Sequence, residues 1–180
     1  MLMRTNSVNV VTNPVVMKLK EEFKNHLIYV EQKRLRSSNK KLSEDISSFI
    51  ENAIEDHNSN LYAPKVDSKP DIVSKFDETF FIELKSSTGD NWRGGNYSKR
   101  EGYHIFIKWN KQCQFFIAGC YVSKKDWKES RSKSYYATSF GKKQLMEAKK
   151  KGILDIYCGD IVEEYTKDKS KVKGIKIILS

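Results

Sequence analysis

Cysteine, proline and histidine are scarce in this chain, three of each in 180 residues. Cys113, Cys120 and Cys158 are widely spaced, no CxxC pair exists, and His26, His57 and His104 stand apart. This argues against a structural zinc site, and reduced, partly buried thiols are expected. Long hydrophobic runs are also missing. The longest, roughly Phe115 to Val122, falls far short of the about 20 residues a membrane helix needs. The opening stretch MLMRTNSVNVVTN has no apolar core of the signal-peptide kind. The expectation is a soluble, cytoplasmic protein with no membrane partner.

What is present is enough to fold. Hydrophobic residues make up 38% of the chain and aromatics 12%, which argues against disorder and suits one domain with one core. The net charge is +10, and it is unevenly placed. Residues 1–90 carry 13 Lys and Arg against 14 Asp and Glu, whereas residues 91–180 carry 20 against 9. That second half also holds Trp92, Tyr97, Trp127, Tyr135 and Tyr136. A one-sided cationic surface with aromatics suits a polyanion such as nucleic acid, and a solvated lysine-rich surface would carry the same charge.

Residues 1–12 are polar and aperiodic, so a flexible arm is expected there, with a single domain over 13–180. Asn13-Pro14 reads as a helix start, with Asn as N-cap. Val16, Leu19, Phe23, Leu27 and Val30 follow at helical spacing, and the helix should end near Gln32 to Ser37. Ser43 is the expected cap of a second helix, with Ile46, Phe49, Ile50, Ala53, Ile54 and His57 on one face. Strands are expected at Ile72 to Phe76, Phe80 to Ser86, Tyr103 to Trp109 and Gln114 to Ser123. Ser87 to Gly102 reads as a long glycine-rich loop, Asn110-Lys111 as a turn, and Asp126 to Ser134 is ambiguous. Lys142 to Lys151 should be helical, stopped by Gly152, with closing strands at Leu154 to Tyr157 and Lys173 to Leu179.

The segment KPDIVSKFDETFFIELK, Lys69 to Lys85, carries the chemistry. A hairpin with a three-residue turn at 77–79 would pair Asp71 with Lys85 and Val73 with Glu83. Side chains alternate along a strand, and paired residues point to the same side. One side then shows Ile72, Ser74, Phe76, Phe80, Ile82 and Leu84, apolar enough to pack on helices. The other gathers Asp71, Glu83 and Lys85. Two close carboxylates repel unless a cation lies between them, and oxygen ligands with room for water favour Mg²⁺ or Mn²⁺. Such an ion lowers the pKa of a bound water, while a lysine can orient that water or neutralise charge growing on a phosphate. These parts suffice for phosphodiester hydrolysis.

Pro70-Asp71, a twelve-residue step, then Glu83-Leu84-Lys85 resembles the PD-(D/E)XK nuclease motif. The resemblance covers roughly residues 43–123. It implies an α/β fold with a restriction-endonuclease-like core, a mixed central β-sheet of about four strands flanked by helices. It also implies divalent-metal phosphodiesterase activity on DNA, with Mg²⁺ as cofactor and Mn²⁺ able to substitute. Asp71 and Glu83 would be the metal ligands and Lys85 the catalytic lysine. Many members add a glutamate from the preceding helix. Glu51 best fits that place, with Glu44 and Glu55 as alternatives.

Within that superfamily the chain looks most like a type II restriction endonuclease, because it has no helicase, ATPase or separate DNA-binding module. A homodimer acting on double-stranded DNA is the matching expectation, since palindromic sites mirror twofold protein symmetry. The stretch Asp90 to Arg100 follows the catalytic lysine, and Trp92, Arg93, Asn96, Lys99 and Arg100, with Lys142 and Lys143, are the expected DNA contacts. Two other readings stand beside this one. One is another nuclease of the same core, acting in repair, junction resolution or nicking. The other is a non-catalytic nucleic-acid-binding protein.

Overall fold

The sequence Thr12-Asn13-Pro14 starts the first helix. Thr12 has extended backbone at φ −85°, ψ 167°, and helix α1 then runs Asn13–Gln32, with proline in the first turn where its missing N–H costs nothing. The cap is therefore Thr12, one residue before the expected Asn13. Val15, Val16, Leu19 and Phe23 are buried. The computed structural model describes residues 9–66, 70–77, 79–95, 101–131 and 136–180. Within the expected N-terminal arm, residues 1–8 lie outside the described residues, but Val10 and Val11 are only 2% and 3% exposed and belong to the core. The arm expected over 1–12 therefore does not extend that far.

Helix α2, Asn39–His57, begins before the expected Ser43. Its N-cap is Ser38, whose Oγ accepts from the Lys41 amide at 3.2 Å. The Ser43 hydroxyl instead accepts from the Trp109 indole Nε1 at 3.1 Å, tying the helix to the sheet. Leu42, Ile46, Ile50, Ala53 and Ile54 form the buried stripe.

Strands follow in chain order. They are β1 Leu61–Tyr62, β2 Ile72–Ser74, β3 Phe81–Ser87, β4 Asn91–Gly95, β5 Gly102–Trp109, β6 Phe115–Val122, β7 Lys128–Arg131 and β8 Tyr136–Gly141. Helix α3, Lys142–Lys150, precedes β9 Asp155–Cys158, β10 Asp160–Tyr165 and β11 Val172–Ile178. A six-stranded central sheet has the order β1-β2-β3-β5-β6-β9. Only β3 and β5 run parallel and the other neighbours are antiparallel, so the protein is mixed α/β around a mixed sheet. The six strands exceed the four that the resemblance implied.

Each face of this sheet supports its own core. Ile82, Leu84, Ile105, Ile107, Trp109, Phe115 and Ile117 pack under α1 and α2. Phe106, Phe116, Ala118, Cys120 and Val122 face the other way. They are covered by Trp92, Trp127 and Phe140, by Leu145, Met146 and Ala148 of α3, and by Ile161 and Ile177 of the β10–β11 hairpin. The stretch expected to be a loop, Ser87 to Gly102, contains β4. This strand joins β8 and β7 in a separate three-stranded sheet, order β4-β8-β7. The β5–β6 connection spans 110–114 rather than a two-residue turn, with Cys113 at φ 57°. No helix among the described residues is long and apolar enough to cross a membrane.

Candidate active site

The β2–β3 hairpin forms, but its loop is longer than the sequence suggested. Ser74 Oγ accepts from the amides of Phe76 (3.2 Å) and Asp77 (3.1 Å), and Asp77 Oδ1 accepts from the Thr79 amide at 2.9 Å and its hydroxyl at 2.6 Å. These short polar side chains bond their own backbone and hold the loop, which the Ser74 amide closes by donating to the Phe80 carbonyl at 3.2 Å. Phe76 lies in it, 81% exposed, and so does not join the apolar face expected of it.

The longer loop shifts the register. Ile72 pairs with Ile82 and Val73 with Phe81. Continuing that register sets Asp71 opposite Glu83, not opposite Lys85. A shift of two residues preserves the face, because strand side chains alternate with period two. Asp71, Glu83 and Lys85 therefore remain on the side expected, while Ile72, Ile82 and Leu84 stay buried at 1%, 0% and 5%.

Side-chain contacts and strand pairing tie the cluster together. Asp71 Oδ2 accepts from the Leu84 amide at 2.7 Å. The Lys85 Nζ lies 3.6 Å from Glu83 Oε2, with side-chain exposures of 18% and 9%. At that distance the pair is Coulombic rather than a hydrogen bond. Parallel pairing sets His104 of β5 beside Glu83 and Phe106 beside Lys85. His104 is fully buried, with Nδ1 3.0 Å from the Gly102 carbonyl, and its ring stacks on Phe106.

Helix α2 brings Glu51 to this cluster. Burial, and then the charge of Asp71, push the Glu51 carboxyl up to about 7, and Lys65 acts in the opposite direction. Of the three helix glutamates, Glu51 is partly buried while Glu44 and Glu55 are exposed. Glu44 lies seven residues earlier in α2, 4.0 Å from Lys40. Glu55 is one turn beyond Glu51 and close enough to add to its upward shift.

The residues expected to meet DNA divide into four groups. Trp92 is 1% exposed, and its indole donates to the Ile107 carbonyl at 2.9 Å beneath the central sheet. It is a core residue, which removes it from the contact surface. Arg93, the next residue of β4, is exposed on the opposite side. Asn96, Lys99 and Arg100 lie outside the described residues. Lys142 and Lys143 open α3 as expected, but Lys142 is engaged. Its amide donates to the Asp90 carbonyl and its Nζ to Asp90 Oδ2 at 2.9 Å, while Lys108 Nζ bonds the other oxygen.

Sequence reasoning placed Asp90 at the edge of the contact loop and missed this clamp. Its partners are 18 and 52 residues away, and no local pattern announces them. Burial would raise the Asp90 pKa, but hydrogen bonds and charge from Lys108 and Lys142 outweigh it and hold the carboxyl below its ordinary value.

The donor set fits a hard cation. Among the described residues no three His, Cys, Asp or Glu side chains converge into a complete cage. Asp71 and Glu83 offer two carboxylates, which matches how Mg²⁺ is held, by one or two carboxylates with water and phosphate completing the shell. No protein-family model matches the sequence, and no curated protein matches it.

Proposed function

We propose that this protein is a Mg²⁺-dependent DNA endonuclease with a restriction-endonuclease-like core of the PD-(D/E)XK kind, acting in the cytoplasm as a homodimeric type II restriction enzyme on double-stranded DNA. The observation that carries this reading is the β2–β3 hairpin, with Asp71 opposite Glu83 and Lys85 Nζ 3.6 Å from Glu83 Oε2. A mixed sheet flanked by helices, with Glu51 of α2 close enough to Asp71 to feel its charge, supports this reading.

Asp71 and Glu83 would hold the divalent ion. When bound, that ion lowers the pKa of a coordinated water and screens the phosphate's charge. The Leu84 amide fixes Asp71 Oδ2 and so restricts how the carboxylate can turn. The Lys85 ammonium stands beside Glu83 where it can hold the attacking water and offset negative charge growing on the phosphate. Glu51, held near neutral pH by burial and Asp71, can accept or return a proton at the edge of the site.

The test is incubation with mixed plasmid and phage DNA in Mg²⁺. Discrete bands, lost in EDTA and in Lys85→Ala, are the expected result. Calcium should support binding without cleavage, since its geometry is looser and it activates water weakly. Nicks or a smear would instead indicate a repair or nicking enzyme of the same core. Cleavage that survives excess EDTA would remove the metal from the mechanism.

A further inference from the structure

Helix α1 ends in a turn whose left-handed residue is an arginine. The amides of Lys33, Arg34 and Leu35 donate to the carbonyls of Tyr29, Glu31 and Val30, each at 3.0 Å. The last two bonds are those of a Schellman motif, which puts the residue after the cap at positive φ and ordinarily uses glycine there. Here that residue is Arg34, at φ 52°. An L side chain at positive φ is strained by its Cβ, so Arg34 costs stability here that glycine would not.

The surrounding chain has one sign of charge. From Gln32 to Ser43 it carries Lys33, Arg34, Arg36, Lys40 and Lys41 and no acid. Lys41 pairs with Asp45 at 3.0 Å, and Lys40 lies 4.0 Å from Glu44. Among the described residues Lys33, Arg34 and Arg36 form no ion pair, and all three are exposed.

Their place in the fold is set by two anchors. Ser43 of α2 is bonded to Trp109 at the C-terminal end of β5, and β3 runs parallel to β5 with Ser87 beside Lys108. The α1–α2 connection therefore lies toward the C-terminal end of β3, the end to which Lys85 belongs. β2 begins pairing at Ile72, so beyond Glu83 the described part of β3 has a strand neighbour on the β5 side only. From Asn39 to Glu51 the helix rises about 18 Å, the length of about five base pairs of duplex.

We infer that Lys33, Arg34 and Arg36 form a second contact with the sugar-phosphate backbone of duplex DNA, remote from the phosphate that is cut. The inference rests on the nuclease reading above and adds a binding surface to it. The surface is electrostatic and independent of base sequence. It raises affinity for any duplex and takes no part in the chemical step.

The experiment measures binding of a fluorescent random-sequence duplex of about 30 base pairs in Ca²⁺ across a salt series, together with thermal melting. The proteins are the wild type, Arg34→Gly and the double variant Lys33→Ala/Arg36→Ala. Arg34→Gly should melt about 2 °C higher, because glycine relieves the strain, while its salt slope falls by about 0.9. The double variant should lose about twice that slope. Both should cleave at the wild-type rate when DNA saturates them. Wild-type slopes in both variants overturn the inference while leaving the nuclease reading intact. A lower melting temperature for Arg34→Gly also overturns it, since the arginine would then be structural. A wild-type protein that binds no duplex removes both readings together.

Discussion

The Leu84 main-chain amide donates to Asp71 Oδ2 at 2.7 Å, so the candidate metal ligand is also a tie across the hairpin that carries it. A charge-assisted bond of this kind contributes about 1.5–3 kcal/mol. Asp71→Ala should therefore lose stability as well as cleavage, whereas Asp71→Asn keeps an acceptor and should melt closer to the wild type. Both should reduce cleavage by roughly two to four orders of magnitude, as should Glu83→Gln. Melting curves and a plasmid assay on the three variants separate the two roles. Near-wild-type cleavage by Asp71→Asn would remove Asp71 from the metal site.

Glu51 should make stability depend on pH. Its folded pKa, about 7, lies above the ordinary carboxylate value because of burial and the Asp71 charge. A raised acid pKa means that the folded state favours the neutral form. The penalty for ionising Glu51 is absent below the unfolded pKa and grows as pH rises toward 7. Glu51→Gln removes that penalty. In metal-free buffer its stability relative to the wild type should rise between pH 5 and pH 8 by on the order of 1 kcal/mol, after allowance for solvent screening at a half-exposed group. Urea titrations at the two pH values measure it, and a constant difference would contradict the assignment.

Trp92 should behave as a core residue. Its ring lies 5.3 Å from Phe106, edge to face, and its N–H is bonded to Ile107. Trp92→Ala should destabilise the fold by about 3–5 kcal/mol, from lost burial plus the cavity left behind. Chemical denaturation is the measurement. A variant with wild-type stability and selectively weakened DNA binding would return Trp92 to the contact surface.

Asp90 should hold α3 and β5 to the connection between β3 and β4. Asp90→Asn should cost up to about 1 kcal/mol at pH 7, since the paired lysines are only partly buried. The sign with pH is opposite to that of Glu51. The Asp90 pKa is depressed in the fold, so its contribution is full above the ordinary carboxylate range and is lost as pH falls through the folded value. The gap between variant and wild type should therefore close in acid. A gap that is unchanged from pH 7 downward would show that the clamp is not ionic.

The parts legible in the sequence were those with local signals. Pro14 marked the start of α1 to within a residue, and Gly152, at φ 68°, marked the stop after α3. Asp71, Glu83 and Lys85 could be grouped on one face because that grouping depends only on alternation, which survived a two-residue error in register. The error came from Ser74 and Asp77, whose side chains stabilise a loop that hydrophobic pattern does not reveal. Trp92 was misassigned because a tryptophan amid Arg, Gly and Asn looks exposed until β8 and the central sheet close over it. β4 and β8 pair across more than 40 residues, and the short, polar β7 alternates too weakly to be seen without its partners.

β3 alternates between two duties. Ile82 and Leu84 are sunk in the helix-side core, and Glu83 and Lys85 alternate with them on the opposite face. A one-residue slip would exchange the two sets and drive a carboxylate and an ammonium beneath α2. Oil thus acts as the ruler for the ions. Chemistry on this strand can be varied side chain by side chain, as long as the spelling between Phe81 and Ser87 keeps its length. Inserting or deleting a single codon there would be more damaging than replacing any one of its polar letters.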